Sequence, residues 1–286
     1  MKKNIVYISI LLMTGISVLT GCKKDKTTDE PLDTEFQTSK DNSLAEGTFN
    51  DVNNIANQAL QNDSLTNYRF GSDLNNLLSS SCATVTRYDT SGHGSIVVFF
   101  GNDPCLCRDN RYRKGTIEFH YSGAYRDSGT VINLSFDNYY VGSDSSNMYK
   151  VEGVKTVENK GPNLSGHTVF DINVNGSLRN TAGQTLTWVS TRHREWIGGE
   201  STAGIWLDDE YRITGSAQGT GFNGSSFSLT ITQGLHVALS CRWIKAGKFD
   251  FIPGALATRH FDYGAGFCDS YATVTINGVS YSIVLP

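Results

Sequence analysis

The chain has 286 residues, with 24 Lys and Arg against 28 Asp and Glu, so its net charge at pH 7 is −4 when histidine is neutral. An acidic balance argues against nucleic acid as a partner, because a phosphate backbone is bound by clustered positive charge. The length allows one large domain or two small ones, with a substantial core. After the first apolar segment, no other is long enough to cross a membrane.

The first 22 residues have the layout of a lipoprotein signal. Lys2 and Lys3 precede an uncharged run over residues 5–19, and Leu-Thr-Gly then leads into Cys22. This order is a positive n-region, a short h-region and a lipobox. The run is shorter than the roughly 20 residues that span a bilayer, and the Ala-x-Ala site of an ordinary signal is absent. We predict that residues 1–21 are a signal peptide and that acylated Cys22, carrying palmitate or a similar chain, anchors the protein in a lipid bilayer.

The segment that follows is polar and then changes character. Residues 22–43 contain almost no apolar side chains, which predicts a flexible tether. Over residues 44–61, Phe49, Val52, Ala56, Ala59 and Leu60 recur at spacings of three and four, which predicts one helix. This helix is too weakly apolar to stand alone, so we expect it to pack against the rest of a single domain over residues 44–286.

From about Cys82 the sequence is typical of β-strands almost to its end. β-Branched and aromatic residues dominate the runs, and Asn-Gly pairs, which favour tight hairpins, occur at 175–176, 223–224 and 277–278. No long helical pattern interrupts them, which excludes β-α-β units. We predict an all-β fold, an antiparallel meander of roughly ten to twelve strands in a sandwich or an open barrel. The predicted runs are 95–100, 116–121, 130–136, 169–174, 185–189, 211–214, 227–232, 235–239, 248–252, 272–276 and 281–285.

Five cysteines follow Cys22, namely Cys82, Cys105, Cys107, Cys241 and Cys268. An exported chain meets an oxidising compartment, so disulfides are expected, and an odd number leaves one thiol over. A bond within Cys105-Leu106-Cys107 would be strained. We predict that one of Cys105 and Cys107 bonds Cys82, and that Cys241 bonds Cys268. The C-x-C spacing is a poor zinc signature, so neither a metal nor another cofactor is predicted.

One strand carries candidate ligand-binding residues. Alternation places Arg192, Arg194 and Trp196 on one face, where they could stack on a sugar or bind an anion. The alternative is an exposed strand whose charges only discourage aggregation. Tyr139 and Tyr140 are adjacent and must point to opposite faces, so the pattern does not assign a role to either.

Signals for catalysis are weak, and no catalytic residue is predicted. Residues 219–224 match G-x-G-x-x-G, but strands on both sides predict a hairpin turn rather than a dinucleotide site. No G-x-S-x-G elbow is present. The acidic cluster Asp208-Asp209-Glu210 is typical of a solvated turn; Asp209 and Glu210 are the best candidates if the protein were a hydrolase.

Several segments carry a family resemblance together with the lipobox. They are residues 113–117, 121–132, 136–141, 209–215, 241–244 and 262–269. The chain resembles a family of Bacteroidota outer-membrane lipoproteins with a β-rich body. The resemblance covers nearly all of the chain after Cys22 and implies outer-membrane anchoring, without implying an activity. The mixed run Lys-Lys-Asp-Lys after Cys22 leaves both the periplasmic and the cell-surface orientation open.

These observations predict a lipid-anchored, non-enzymatic protein of the bacterial outer membrane that binds or displays a glycan or a protein partner. Two alternatives stay open: an envelope hydrolase that acts on glycans, and a purely structural envelope component.

Overall fold

The computed structural model describes Asp33 and residues 35–61, 82–90, 93–202, 205–241 and 243–284. Within these residues one α-helix, α1 (Gln37–Gln61), accompanies fourteen strands. The predicted signal peptide and Cys22 lie outside the described residues. The strands are β1 (Thr84–Thr90), β2 (His93–Phe99), β3 (Cys105–Leu106), β4 (Tyr112–Tyr121), β5 (Val131–Asp144), β6 (Asn147–Pro162), β7 (Thr168–Arg179), β8 (Thr185–Gly198), β9 (Glu210–Thr220), β10 (Ser226–Ala238), β11 (Ala246–Pro253), β12 (Arg259–Ala265), β13 (Tyr271–Ile276) and β14 (Val279–Val284).

All fourteen strands belong to one antiparallel sheet. Each strand pairs with the next in the chain, except that β2 and β3 lie end to end along the same side of β4. This arrangement confirms the predicted all-β meander with a single N-terminal helix. Of the two predicted architectures, the single open sheet excludes the sandwich. Among the described residues, no helix combines the length and the apolar character that a bilayer span requires.

Alternation along the strands separates an inner face from an outer face. In β8, every second residue from Leu186 to Trp196 is buried, while the intervening residues are largely exposed. We call the face that carries these buried residues, and on which α1 packs, the inner face. Residues of β4, β6, β8 and β12 all bond to α1 or to Glu35 just before it, so the sheet curves around the helix.

The helix begins seven residues earlier than the sequence predicted. The Glu35 carboxylate accepts hydrogen bonds from the backbone N–H and the hydroxyl of Thr38, at 2.9 and 2.8 Å, which stabilises the first turn. Thr38 and Asp41 are buried. The predicted tether over residues 22–43 is therefore wrong from Gln37 onwards. The polar composition of this segment is typical of disorder, but in the folded protein the sheet provides hydrogen-bond partners for its polar side chains.

The helix sits on the sheet through Phe49 and Gly176. The Phe49 ring stacks on Trp188 with centroids 5.5 Å apart, and a Cβ atom at Gly176 would overlap that ring. Asn175-Gly176 is consequently inside β7, and the hairpin turn predicted there is wrong. The turns predicted at Asn223-Gly224 and Asn277-Gly278 join β9 to β10 and β13 to β14.

The interface between α1 and the sheet is unusually polar. Asp41, Glu46 and Asp51 are spaced five residues apart, so successive acids point about 140° apart around the helix. Asp41 accepts a hydrogen bond from the backbone N–H of Phe222 at 2.9 Å. Glu46 pairs with Arg192 at 3.1 Å, and Asp51 pairs with Arg113 at 2.7 Å. All three acids find partners because the sheet surrounds the helix.

Candidate functional site

The structure places the three residues considered as a ligand face on the inner face of β8. Arg192, Arg194 and Trp196 are only 4 %, 6 % and 1 % exposed. The Arg194 guanidinium lies 4.8 and 4.7 Å from the ring centroids of Phe170 and Tyr211. These side chains therefore belong to the interior rather than to an exposed binding face, because the curved sheet and its loops cover them.

Two residues of the acidic cluster, Asp209 and Glu210, point to opposite faces of the sheet. Asp209 is buried and accepts hydrogen bonds from Trp196 Nε1 and Tyr211 Oη, at 3.2 and 3.1 Å. Burial raises the pKa of Asp209, although both hydrogen bonds oppose the rise. Glu210 instead bonds to His236 and Lys245, at 3.0 and 3.2 Å. The two carboxylates do not face a common cleft, which a pair of catalytic acids needs.

The cysteines form two disulfides, and their pairing agrees with the sequence. Cys82 bonds Cys105, and Cys241 bonds Cys268, with Cα–Cα separations of 5.6 and 5.8 Å. Cys107 is free and buried. Burial raises the pKa of its thiol, against the lowering effect of the neighbouring Arg113. In the part of the chain that the structure describes, no group of three or more His, Cys, Asp or Glu residues is arranged to hold a metal ion.

The best candidate for a binding site lies on the outer face and was not predicted. Lys114, Tyr140, Lys150 and Arg179 are direct cross-strand partners, one from each of β4, β5, β6 and β7. Neighbouring strands are about 4.8 Å apart, so this row is about 14 Å long. At its β7 end a pocket of about 330 Å³ is lined by Tyr140, Met148, Lys150, Arg179, Asn180, Thr181 and Gly183. We call the row and its pocket the basic pocket.

The side chains of the basic pocket combine positive charge with an apolar floor. Lys114 Nζ lies 4.7 Å from the centroid of the Tyr140 ring. Lys150 Nζ donates a hydrogen bond to Glu152 at 2.7 Å, and this bond raises the pKa of Lys150. Buried Met148 lies beside Tyr140 in the lining. Three cations against one paired carboxylate make this a local positive site on an acidic protein.

Polar groups at the rim of the basic pocket are held in place by the turn between β7 and β8. Asn180 accepts a hydrogen bond from the backbone N–H of Gln184 and donates one to its side chain, both at 2.9 Å. The hydroxyl of Thr181 is 3.5 Å from the side-chain oxygen of Asn147. Their neighbours in the lining are Gly183 and the exposed Arg179. The pocket thus carries hydrogen-bonding groups beside its cations, at the end of β7 and in the short turn that follows it.

A second outer-face pocket differs in chemistry. It has a volume of about 370 Å³ and is lined by His93, His120, Tyr121, Ser122, Val131 and Asn133. His120 Nε2 is 3.1 Å from a carboxylate oxygen of Glu118. This pocket is lined by no lysine or arginine, so it offers an anionic ligand fewer permanent positive charges than the basic pocket does.

No protein-family model, curated protein or solved structure matches this chain. The function therefore has to be argued from the residues themselves. The sequence missed the basic pocket because its four row residues are separated by up to 65 positions along the chain and meet only through strand register. The sequence offered one partial signal, the adjacent pair Tyr139 and Tyr140, whose side chains must point to opposite faces. Only the structure shows that Tyr139 is buried on the inner face, which leaves Tyr140 on the outer one.

Proposed function

We propose that this protein is a lipid-anchored, non-enzymatic component of the bacterial outer membrane whose sheet domain binds an acidic glycan in the basic pocket. The lipobox at Cys22 and the family resemblance support the anchoring. The observation that supports binding is the cross-strand row of Lys114, Tyr140, Lys150 and Arg179. The row joins cations and an aromatic ring, and its last three residues line one pocket.

The chemistry of the row favours a charged sugar. The guanidinium of Arg179 can donate two parallel hydrogen bonds to a carboxylate or a sulfate, and Lys150 supplies a second charge. Tyr140 and Met148 offer an apolar surface for the C–H face of a sugar ring. Asn180 and Thr181 at the rim can bond to hydroxyl groups. A row of about 14 Å suits a short stretch of polysaccharide.

Other anionic partners fit less well. A nucleic acid is bound mainly by neutralising many backbone phosphates, and the row supplies only three cations on a protein that is acidic overall. A stable protein interface covers about 800 Å² on each partner, whereas a pocket of about 330 Å³ encloses only a small group. An acidic polysaccharide presents the required group, a charged ring, repeatedly along a chain.

The proposal is tested with glycans that differ only in charge. Polygalacturonate and its methyl ester share a backbone, as do chondroitin sulfate and desulfated chondroitin. We expect the protein to bind at least one acidic member about tenfold or more tightly than its uncharged or less charged partner, and to lose affinity as salt rises. Calorimetry or surface plasmon resonance measures both effects. Equal binding within each pair would refute the proposal.

Variants then locate the site. Replacing Lys150 and Arg179 together by Gln removes two charges from exposed or half-exposed positions, so folding should be unaffected while affinity for the acidic glycan falls by about tenfold or more. Lys248→Gln is the matched control, because Lys248 is another outer-face lysine paired with a carboxylate, Asp262, at 2.8 Å. An equal loss in the control would mean that net charge, and not the basic pocket, drives binding.

Anchoring needs a separate measurement. Metabolic labelling with a palmitate analogue should mark the wild-type protein and not Cys22→Ser. Protease treatment of intact cells, compared with cells whose outer membrane has been opened, distinguishes the cell-surface from the periplasmic orientation. An unlabelled wild-type protein in the soluble fraction would contradict the anchoring and leave the glycan proposal standing.

A further inference from the structure

The last strand, β14, leaves one edge of the sheet unpaired. It pairs with β13 through six residues, from Val279 opposite Ile276 to Val284 opposite Tyr271. Among the described residues, no strand pairs with its other side. Unpaired edges expose backbone N–H and C=O groups in the geometry that accepts another strand.

This edge lacks the usual protection against pairing. Residues 271–284 contain no Asp, Glu, Lys, Arg or His, in a chain in which 18 % of residues are Asp, Glu, Lys or Arg. The opposite edge strand, β1, carries Arg87 and Asp89. Apolar side chains of β14 are also uncovered: Val279 is 54 % exposed, Tyr281 38 % and Val284 70 %. Charges on an edge normally prevent association, and β14 has none.

We propose that β14 pairs antiparallel with β14 of a second copy of this chain, about a two-fold axis at Tyr281. The residue numbers of each directly opposed pair then sum to 562, which is twice 281. Val279 therefore lies opposite Ile283 of the second copy, and Ser280 lies opposite Ser282. Every apolar inner-face residue opposes an apolar one, and every outer-face serine opposes a serine. The strand is therefore complementary to itself.

Charge and symmetry favour a second copy over other occupants. Copies of an acidic protein repel one another, and an uncharged edge is the place where two copies approach at the lowest electrostatic cost. Pairing of β14 with β1 of another copy would instead be head to tail and would leave new edges free, which leads to open chains of molecules. The two-fold arrangement closes on itself. This inference does not depend on the basic pocket.

A single cysteine at the two-fold axis tests the proposal in cells that make the full, anchored chain. Directly opposed residues of antiparallel strands have Cα atoms about 4.5–5.5 Å apart, which suits a disulfide. Tyr281→Cys should therefore give a product of twice the monomer mass on a non-reducing gel, and reductant should remove it. Thr275→Cys on β13 is the control, because its two copies would be separated by three strand spacings and a two-residue offset, about 16 Å, and should not crosslink.

Charges at the neighbouring positions test the register. In the Tyr281→Cys background, Ser280→Lys with Ser282→Lys opposes lysine to lysine twice, and the crosslinked fraction should fall about tenfold. Ser280→Glu with Ser282→Lys opposes unlike charges and should restore it. Both serines are exposed, so folding should survive. Three results would each overturn the proposal. They are the absence of a dimer with Tyr281→Cys, a crosslinked fraction that does not change with the introduced charges, and a crosslink to a protein of another mass.

Discussion

Lys155 is a lysine ammonium buried in the interior, and its replacement provides a quantitative test of the structure. It lies on the inner face of β6, is 2 % exposed, and donates one hydrogen bond, to the backbone oxygen of Phe49 in α1 at 2.7 Å. No carboxylate pairs with it among the described residues. Burial lowers the pKa of Lys155 to about 7, and the nearby charge of Arg194 adds to the effect.

The lowered pKa corresponds to a cost that depends on pH. A change from 10.5 to about 7 amounts to about 5 kcal/mol, at about 1.4 kcal/mol for each pH unit. Below pH 7 both the folded and the unfolded chain hold the proton, so folding bears the whole cost. Between pH 7 and 10.5 only the unfolded chain holds it, so the folded protein gains stability as the pH rises, and the cost disappears above that range.

Lys155→Met removes the charge and keeps most of the volume. At pH 6 we expect this variant to be about 4 kcal/mol more stable than the wild type, once about 1 kcal/mol is subtracted for the lost hydrogen bond to Phe49. The advantage should shrink by about 2 kcal/mol between pH 7 and 9. Denaturant unfolding of residues 23–286, which contain the compact unit from Thr34 to Pro286, measures both values.

The exposed lysine at position 248 is the control for this comparison. Lys248→Met should change stability by less than about 1 kcal/mol, with little dependence on pH, because its ion pair with Asp262 is exposed to solvent. If the difference between Lys155→Met and wild type stayed constant from pH 6 to 9, the lysine would not be buried as an uncompensated charge. The described packing of α1 on β6 would then be incorrect.

Three further outcomes are expected from residues of the interior and of α1. Gly176→Ala should destabilise the protein by about 1–3 kcal/mol, because the new methyl group overlaps the Phe49 ring. Gly47→Ala, which has open space around its Cβ in α1, should stabilise the protein by up to about 1 kcal/mol. Thermal melts that rank the two variants the other way would contradict the helix packing. Cys107 should resist alkylation in the native protein and react after unfolding, because it is buried and its pKa is raised; rapid native labelling, read by mass spectrometry, would place it at the surface. Arg113→Met should cost about 3–5 kcal/mol in chemical denaturation, since it leaves Asp51 and Asp109 without their buried partner; a neutral result would show that the network contributes nothing.

Acid sensitivity follows from the same network. Burial alone would raise the pKa of Asp109, but the hydrogen bonds and charge of Arg113 lower it overall. A lowered carboxyl pKa stabilises the fold above the ordinary carboxyl range, and that contribution is lost as the pH falls through the folded-state value. Arg113→Met should therefore also be less sensitive to acid than wild type below pH 4, which denaturant titrations at pH 3 and 5 compare.

The strands were largely predictable because a half-buried sheet imposes a period of two. The runs predicted at 95–100, 116–121 and 272–276 fall within β2, β4 and β13 or extend one residue past them. β6 was missed although it is the longest strand, at 16 residues. Its inner face carries Lys155, which breaks the apolar alternation. A local pattern cannot recognise a buried lysine as an inward residue.

The local sequence also could not determine whether a glycine lies in a turn or inside a strand, or whether a polar residue lies in a helix or in a tether. Asn175-Gly176 is typical of a hairpin turn, yet Gly176 lies inside β7 to admit the ring of Phe49 from another element. Asp41 lies within the helix although its neighbourhood is typical of a tether. Both outcomes depend on contacts between residues more than a hundred positions apart, which carry no periodic signal.

The amino-acid sequence by itself determined the strand-rich class, the N-terminal helix and the bond between Cys241 and Cys268, because each follows from short-range pattern or from simple counting. It left the partner of Cys82 open between Cys105 and Cys107, and the structure decided for Cys105. The lipidation of Cys22 stays a prediction. Only the tertiary structure decided which face of each strand is covered. It buried Arg192, Arg194 and Trp196 and brought Lys114, Tyr140, Lys150 and Arg179 into one row. The physical reason is that strand register and sheet curvature are set by long-range packing, and these two features determine which side chains meet water and which meet each other.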